Sequence, residues 1–581
     1  MSSANTQAAA DIAAFGIALP GKMQAAVRQA QDSWDASGGT LRLWNKDGAL
    51  WTGRGEGKWL GWLDIVERQL ASISKFKALA AEIREDAFTH MLLLGMGGSS
   101  LCPEVFGATF GKQPGWPELL VLDSTDPAQI RSIQAKINPA RTLFWVSSKS
   151  GATMETNLYM QYFFDETKKA VGDRAGHHFI AITDPGSRLE GMAEKLGFRR
   201  IYYGEASIGG RYSALSDFGL APHAAAGLDT ERLLRRAREM AEACRSSRAA
   251  SNPGVALGLI LSAAAAKFGR DKVTLLCSKP LVHLGAWLEQ LLAESTGKQG
   301  AGLIPIDREP LLRSGRYGKD RIFACIKLAG DRDSELEGSI AALERSEQPV
   351  LRIVLNDLYD LGQVFFQWEI AAAVAASVLR VNAFDQPDVE ASKAAARELA
   401  LKFEETGSLA GESPVLEQDG IKLFADAENA AALLNNGGTL GAAIRAHVDR
   451  LRPGDYFALL AYLPMFRTHE EKLQQMRATI LESKGAATVL GFGPRFLHST
   501  GQLHKGGPNT GVFLQITCEE AADLPVPQQK YTFGVVKAAE ARGDFKVLAE
   551  RGRRALRVHL GKDVSKGLDR LRDLICAAVA H

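Results

Sequence analysis

Short apolar runs separated by longer amphipathic segments repeat through the first two thirds of the chain. The runs end in Gly, Ser, Thr or Asp, and helical patterns lie between them. Continuous apolar runs that alternate with helices are typical of parallel strands buried on both faces of a sheet. The pattern therefore predicts an α/β protein with two groups of strands, at 91–94, 119–122, 143–146, 179–182 and 201–203, and then at 273–277, 322–327 and 350–355.

Changes in this rhythm divide the chain into predicted regions. The first region is mainly helical and includes a Gly- and Trp-rich stretch, 44–61, that we expect to loop over another part of the protein. Residues 223–230 are typical of a linker, and 407–428 is the segment we expect to be flexible. The predicted domains are an N-terminal helical segment (1–88), two α/β domains (89–230 and 231–406) and a C-terminal α/β extension (407–581).

One predicted helix carries a carboxylate on its apolar face. Residues 281–297 have apolar positions at helical spacing and end in glycine. Glu294 follows Trp287 by one heptad, so the two lie about 20° apart around the helix. A carboxylate there is either paired with a cation or kept protonated by its apolar surroundings. Glu294 is thus a candidate catalytic base, with an ordinary Glu at a frayed helix end as the alternative.

Composition and charge argue against several classes of protein. A chain of 581 residues is too long for one core. Its formal net charge of +2 argues against nucleic acid or an acidic surface as the main partner. The six cysteines show no CxxC or metal-ligand spacing, so we expect no metal site. We found neither a secretory signal nor an apolar run of about 18 residues, and we expect a cytoplasmic protein without a membrane partner.

A glycine-rich loop follows the first predicted strand. It reads GMGGSS at 95–100, and its glycines and hydroxyls suit donors that close on an anion. A dinucleotide fingerprint needs a third glycine where Ser100 stands, although Asp123 could still serve as the ribose-binding acid. A nicotinamide site therefore remains the minor alternative.

Two later loops place cations beside small residues. Residues 147–153 bring hydroxyls, one lysine and a helix start together, which is what a phosphate dianion needs. This loop lacks GxxxxGK[ST], so it does not indicate a nucleoside triphosphate. Arg211 follows two glycines, which would let the backbone present its guanidinium to an enolate-like oxygen. A helix cap and a surface arginine are the ordinary alternatives.

Four stretches together resemble the glucose-6-phosphate isomerase family. They are GMGGSSLCP at 95–103, SKSGATMET at 148–156, GGRYSALS at 209–216 and AESTGKQG at 293–300. A fifth, FDQPDVEASK at 384–393, resembles the C-terminal signature of that family. Beyond residue 395, RFLHSTGQLHKGGPNTG at 495–511 resembles the subgroup whose isomerase is sometimes fused to a transaldolase.

The resemblance implies a fold and an activity. The fold would be two flavodoxin-like parallel-sheet sandwiches, that is, sugar isomerase (SIS) domains, in a homodimer. The activity would be the reversible conversion of glucose 6-phosphate to fructose 6-phosphate, without a metal or an organic cofactor. The hexose 6-phosphate would be the partner, with a separate transaldolase as a functional link.

The resemblance also implies roles for single residues. Glu294 would move a proton between C1 and C2, and Arg211 would stabilise the enediolate between the two steps. Lys393 would lie near the ring oxygen. The phosphate would be bound by Ser99, Ser148, Lys149, Ser150 and Thr153, and the rest of the substrate by Gly98, Gly210, Gln290 and Gln386.

One position departs from the family pattern. Many members carry a histidine after a Gly-Gln pair, where it helps to open the sugar ring, but Val364 stands there in this chain. No histidine occurs from residue 284 to 446. We hypothesise that His504 supplies the proton transfers of ring opening, with His498 as a weaker candidate. A loop histidine that merely packs against a helix end is the alternative.

Two questions of function stay open at this point. Mannose 6-phosphate is a possible second substrate, since the stereochemistry at C2 depends on details of the pocket. A sugar-phosphate sensor without catalysis could use the same fold. A sensor needs the phosphate loops but no base and cation at the reacting carbons, so Glu294, Arg211 and Lys393 together favour the enzyme.

Overall fold

The computed structural model describes residues 14–312, 317–435 and 437–580. Strands and helices alternate along most of it. The strands are β1 (Ala14–Ala18), β2 (His90–Gly95), β3 (Glu118–Leu122), β4 (Thr142–Ser147), β5 (Phe179–Thr183), β6 (Arg200–Tyr203), β7 (Lys272–Cys277), β8 (Ile304–Ile306), β9 (Arg321–Leu328), β10 (Val350–Leu355), β11 (Leu416–Gln418), β12 (Ile421–Phe424), β13 (Tyr456–Ala461), β14 (Ala487–Phe492), β15 (Gly511–Cys518) and β16 (Arg554–Leu560).

The α-helices pack mostly on the faces of three sheets. They are α1 (Gly21–Ala36), α2 (Gly39–Trp44), α3 (Ile65–Ala71), α4 (Ser74–Glu85), α5 (Leu101–Phe110), α6 (Pro127–Gln134), α7 (Met154–Val171), α8 (Arg188–Lys195), α9 (Asp217–Ala225), α10 (Thr230–Ala243), α11 (Pro253–Phe268), α12 (Leu284–Thr296), α13 (Ser334–Arg345), α14 (Leu361–Val378), α15 (Pro387–Thr406), α16 (Ala427–Leu434), α17 (Leu440–Val448), α18 (Arg467–Lys484), α19 (Gly501–Gly506), α20 (Phe533–Glu550) and α21 (Val564–Val579).

The first sheet is parallel throughout, in the order β3-β2-β4-β5-β6. Strand β4 is buried along its whole length, as expected for a sheet that is covered on both faces. Each of the five strands predicted for this part of the chain forms within one residue of its expected bounds. The prediction of an α/β fold with parallel sheets is confirmed.

The second sheet has the order β1-β10-β9-β7-β8. Strands β7 to β10 are parallel, whereas β1 pairs with β10 in the antiparallel direction. Strand β1 lies in the region that we expected to be helical, so this expectation is wrong for residues 14–18. It is a short edge strand, and pairing with β10 rather than local pattern decides its conformation. Residues 1–13 of the same predicted segment lie outside the described residues.

The C-terminal extension contains a third sheet, in the order β11-β12-β16-β15-β13-β14. Its four strands from β16 to β14 are parallel, and β11 and β12 form an antiparallel hairpin at one edge. The hairpin lies within the segment expected to be flexible, and that expectation is wrong for 416–424. Asp419 and Gly420 form its turn with positive φ angles, as two-residue hairpin turns require.

The stretch expected to be a linker is part of the core. His223 belongs to α9, is fully buried, and its Nδ1 lies 2.9 Å from Oγ1 of Thr230. Burial lowers the pKa of His223 to about 3. The apolar run before His223 thus continues into a packed turn instead of a solvent-exposed connection. How the chain divides into domains stays a prediction.

Helix α14 is the most apolar long helix of the described chain. By length and composition it could cross a membrane, but it is almost entirely buried inside the protein, as core helices of soluble proteins are. Val364 is among its fully buried residues. The helix therefore forms part of the core between the first two sheets.

Ion pairs hold the C-terminal extension, from here on called the C-terminal unit, against the first sheet. The guanidinium of Arg495 contacts the carboxylates of Asp123, at 2.9 Å, and Glu104. The ammonium of Lys537 lies 2.6 Å from the carboxylate of Asp126. Asp123 and Asp126 follow β3, so these contacts hold the C-terminal unit at the carboxyl edge of the first sheet.

Candidate active site

A cavity of about 570 Å³ opens at the carboxyl edge of the first sheet. Loops that follow β2, β4, β5 and β6 line it, together with the second half of α12, the start of α15 and His498 of the C-terminal unit. Ligands of open α/β sheets bind at this edge, because the loops there converge on one crevice. Segments that belong to the first sheet, the second sheet and the C-terminal extension therefore contribute to one cavity.

Glu294 and Arg211 form a buried ion pair in this cavity. Nε of Arg211 lies 3.1 Å from Oε2 of Glu294, and the two residues are 4% and 6% exposed. The guanidinium also donates to the carbonyl of Ala383 at 3.0 Å and to Asp385 and Gln386. The sequence left two alternatives for Glu294, pairing with a cation or a carboxyl kept protonated by apolar surroundings, and the structure shows pairing with a cation. A fixed cation beside a carboxylate can stabilise an anion while the carboxylate moves a proton.

Gln290 connects this pair with the C-terminal unit. It lies one turn before Glu294 on α12, and its Nε2 is 3.4 Å from Oε2 of Glu294. The same nitrogen donates to the backbone carbonyl of His498 at 2.8 Å. The amide therefore fixes the distance between the carboxylate and the loop that carries His498.

Gly98 allows the loop after β2 to touch the turn that holds Arg211. A Cβ atom at Gly98 would lie 2.1 Å from the carbonyl oxygen of Gly210. Such a distance is far below van der Waals contact, and the obstacle is backbone. A side chain at Gly98 would therefore displace the turn that presents the guanidinium.

The loop predicted to bind phosphate also lines the cavity. Ser99, Lys149, Ser150 and Thr153 all face it. Thr153 precedes the 18-residue helix α7, and its side chain makes no capping hydrogen bond, so the first N–H groups of that helix are open to a ligand. Hydroxyls, an ammonium and a helix N-terminus thus come together, as the sequence predicts.

Ser148 occupies a different position from the other predicted phosphate ligands. It is buried and does not line the cavity, and its Oγ donates to Oγ1 of Thr153 at 3.1 Å. Ser148 therefore supports Thr153 from behind. Lys149 faces the cavity but forms an ion pair with Asp184, which also lines it.

The FDQ stretch supplies two more predicted residues to the cavity. Gln386 lies beside Arg211, and Lys393 projects from the first turns of α15. Nζ of Lys393 is 3.0 Å from Oε1 of Glu390 and remains partly exposed. Lys393 is thus a cation at the cavity wall that a ligand can reach.

The hypothesis that His504 opens the sugar ring is wrong. His504 is buried in α19 with its Nδ1 3.0 Å from the hydroxyl of Tyr456, and its ring contacts that of Phe513. Burial lowers the pKa of His504 well below its usual range. Its side chain is sealed in an apolar cluster behind the cavity wall, since the glycine-rich stretch around it folds inward.

Sequence reasoning ranked His498 below His504 and missed two other residues near the site. His498 is the one histidine among the described residues that line the cavity, and its Nε2 lies 2.6 Å from Oε1 of Glu155. Trp59 reaches the cavity from the Gly- and Trp-rich stretch that was expected to loop over another part of the protein. Glu155 stands in SKSGATMET, where its position right after the phosphate loop was the available signal.

Lys298 is a further buried cation close to Arg211. Burial and the neighbouring guanidinium lower its pKa to about 7. Its ammonium donates to the carbonyl of Asn382 and lies 3.2 Å from the carboxylate of Asp385. Because Asp385 also accepts from Arg211, Lys298 holds the segment that orients the guanidinium.

The described residues do not favour the nicotinamide alternative. Asp123, the candidate ribose ligand, is buried against Arg495 and does not line the cavity. Nor do the described residues contain a group of three or more His, Cys, Asp or Glu side chains that could hold a metal ion.

Parallel sheets, a phosphate-type loop and a carboxylate paired with arginine define the class of protein as a sugar isomerase. The family model of phosphoglucose isomerase matches residues 74–302. Glucose-6-phosphate isomerase of Geobacter sp. strain M21 is 31% identical over an alignment of 381 residues, and the match covers 57% of this chain and 71% of that protein. The enzyme of Carboxydothermus hydrogenoformans is 29% identical and covers 57% of this chain and 82% of its own length. The chain belongs to the phosphoglucose isomerase family, and it is an isomerase.

Solved structures show the same fold. A hypothetical protein of Thermus thermophilus superposes with a TM-score of 0.57 at 24% identity, over 66% of this chain and 99% of that one. A glucose-6-phosphate isomerase of Chlamydia trachomatis gives a TM-score of 0.50 at 20% identity, over 61% and 75%.

Proposed function

We propose that the protein interconverts D-glucose 6-phosphate and D-fructose 6-phosphate through a cis-enediol(ate). The observation that carries the proposal is the buried pair of Glu294 and Arg211, 3.1 Å apart, in a cavity that the loop predicted to bind phosphate also lines. The similarity to two glucose-6-phosphate isomerases supports this substrate.

Glu294 moves the proton in this proposal. Conversion of the aldose to the ketose takes a proton from C2 and returns one to C1, so a single carboxylate between the two carbons serves both steps. Gln290, whose Nε2 is 3.4 Å from Oε2 of Glu294, helps to hold the carboxylate in place.

Arg211 stabilises the charge that develops on the substrate oxygens. The enediolate is anionic, and a cation fixed by three backbone or amide oxygens needs no reorganisation when this charge appears. The guanidinium also pairs with the carboxylate of Glu294, 3.1 Å away. One cation thus supports both the base and the intermediate.

The phosphate group would bind away from the reacting carbons. Ser99, Lys149, Ser150 and Thr153 supply donors there, and the start of α7 adds N–H groups. Binding energy at this remote group orients C1 and C2 against Glu294. Gly98, Gly210 and Gln386 would border the sugar between the two ends.

Replacing Glu294 with Gln tests the proposal. We expect conversion of fructose 6-phosphate to glucose 6-phosphate, followed with a chelator present, to fall by about 10³-fold or more while hexose phosphate still binds. Glu289→Gln is the matched control, since Glu289 lies on the same helix but lines a different cavity. An active Glu294→Gln enzyme would contradict the assignment, and an inactive intact chain that binds hexose phosphate would favour a sensor.

Wider properties of the enzyme remain part of the proposal. We expect a cytoplasmic homodimer that works in glycolysis and gluconeogenesis, with a separate transaldolase as a possible functional link. Mannose 6-phosphate is the competing substrate to assay, because it differs from glucose 6-phosphate only at C2, where Glu294 acts.

A further inference from the structure

Hexose 6-phosphates are mostly cyclic, so an isomerase that acts through an enediolate must first open the ring. Val364 stands at the position where many members of the family carry the ring-opening histidine, and it is buried in α14. His504, the histidine predicted to replace it, is buried in an apolar cluster and does not line the cavity. His498 lines the cavity with Lys393, Gln386 and Glu294.

Contacts from both sides hold His498 in place. Its backbone carbonyl accepts from Gln290, and Arg495, three residues earlier in the same 3₁₀ turn, is anchored to Asp123 and Glu104. The residue is 8% exposed. The ring is therefore presented to the cavity from a rigid part of the C-terminal unit.

Glu155 determines the tautomer of the imidazole. Burial opposes its ionisation, but His498 outweighs this and the pKa of Glu155 falls to about 2. The carboxylate accepts the proton on Nε2, 2.6 Å away, so a neutral ring carries its lone pair on Nδ1. Nδ1 has no hydrogen-bond partner among the described residues and is not sealed from solvent.

Glu540 completes the arrangement behind Glu155. It is buried, and burial together with the adjacent Glu155 raises the pKa of Glu540 well above its usual range. A neutral Glu540 can donate to Glu155, and it accepts from Oγ1 of Thr125 at 2.7 Å. Glu155, with Glu540 behind it, thus takes the place beside the imidazole that the buried carboxylate of a catalytic triad has beside its histidine.

We propose that His498 is the catalytic residue of ring opening and that Glu155 is its positioning residue; this inference rests on the proposed function. Nδ1 of His498 takes the proton of the anomeric hydroxyl, whose oxygen becomes the carbonyl. The bond between the anomeric carbon and O5 breaks, its electron pair stays on O5, and O5 takes a proton from the ammonium of Lys393. Transfer of the proton from His498 back to Lys393 through solvent resets the pair.

The test compares a cyclic substrate with one that cannot close. 5-Deoxy-D-fructose 6-phosphate lacks the hydroxyl that forms the furanose ring, and its C6 oxygen is esterified, so it needs no ring opening. In His498→Gln we expect kcat/KM for fructose 6-phosphate to fall by about 10²- to 10⁴-fold, with the value for the 5-deoxy ketose within about threefold of the wild type. Product formation from both sugars is followed by NMR.

Two further variants sharpen the result. Glu155→Gln should show the same split between the substrates with a smaller loss, since the ring stays but loses its charged partner. His504→Gln, which alters a buried histidine off the cavity, should show no split. Turnover of the 5-deoxy ketose shows in each case that the variant is folded.

The outcomes separate the two proposals. Equal losses on both sugars in His498→Gln would make His498 structural and overturn the inference, and so would no loss on either sugar. A wild-type enzyme that converts neither sugar would instead overturn the proposed isomerisation itself.

Discussion

At the scale of single residues, the site depends on charges held in places that water hardly reaches. Glu294 and Arg211 compensate each other, and removing either would leave a buried ion alone, which costs several kcal/mol in general. Lys298 differs, because its neighbours include the cation Arg211, and burial disfavours its ammonium form. Its charge state in the folded protein should therefore depend on pH near neutrality.

Replacing Lys298 with Met should remove a pH-dependent part of stability. The pKa of Lys298 is lowered from 10.5 to about 7, so between these values the unfolded chain binds more protons than the folded one. Stability then rises with pH across this window, by at most about 1.4 kcal/mol per pH unit. We expect the free energy of unfolding of the wild type to increase relative to Lys298→Met between pH 7.5 and 9, as measured by urea unfolding at both values.

A second variant checks the cause of that rise. Arg in place of Lys298 stays charged throughout the window, so Lys298→Arg should also lose the rise. If the variants keep the slope of the wild type, another group titrates in this range and Lys298 is not responsible.

At the scale of elements, helix α12 and the loops of the first sheet fix the geometry of the cavity. The apolar face of α12 packs into the core while Gln290 and Glu294 project from its second half. The loop after β2 touches the turn of Arg211 at Gly98, where backbone meets backbone. This contact sets the distance between the phosphate side and the cation.

Gly98→Ala should therefore lower activity through the backbone. The added Cβ would lie 2.1 Å from the carbonyl oxygen of Gly210, which forces the turn of Arg211 to move. Since misplacement of a catalytic group by about 1 Å can cost about 10²-fold, we expect a loss of that order in kcat/KM. The measurement is steady-state conversion of fructose 6-phosphate.

Gly191→Ala serves as the control. Gly191 lies in α8, and a Cβ there would meet nothing within 4 Å. That variant should keep full activity and gain about 0.5–1 kcal/mol from helix propensity. An active Gly98→Ala enzyme would show that the two loops can separate without harm.

At the scale of the whole molecule, the C-terminal unit docks onto the first sheet and contributes His498 to the cavity. Helix α20 packs along α15, and Arg495 reaches Asp123 and Glu104 across the interface. Burial raises the pKa of Asp123 despite the neighbouring guanidinium, so this carboxylate depends on its partner.

Arg495→Met should weaken the docking of the C-terminal unit. It would leave the buried carboxylate of Asp123 without its cation, and we expect a loss of about 3–5 kcal/mol in the free energy of unfolding. Urea unfolding measures it. Arg467→Met, which breaks an exposed pair with Glu471, should change stability by less than about 0.5 kcal/mol. Equal effects of the two variants would show that the interface does not need this ion pair.

Much of the first sheet and its loops could be predicted from the sequence. The strands are continuous apolar runs, and the phosphate loop, Arg211 and Glu294 each stand at a strand or helix end, where local pattern is informative. Strands β1 and β11 escaped prediction because they are short edge strands, and β12 because it is a short strand that forms the hairpin with β11; the conformation of such strands depends on their partners.

The amino-acid sequence alone was enough to predict the family, the parallel sheets and the group of residues around Glu294, because these follow from local pattern and from motifs. Only the tertiary structure shows that His498 lines the cavity and that His504 does not, although both stand in one short motif. His504 packs against Tyr456, whereas His498 contacts Glu155, which is 343 positions away in the sequence. Contacts between such distant positions follow from how the units dock, and that depends on buried charges and packing that no local pattern reveals.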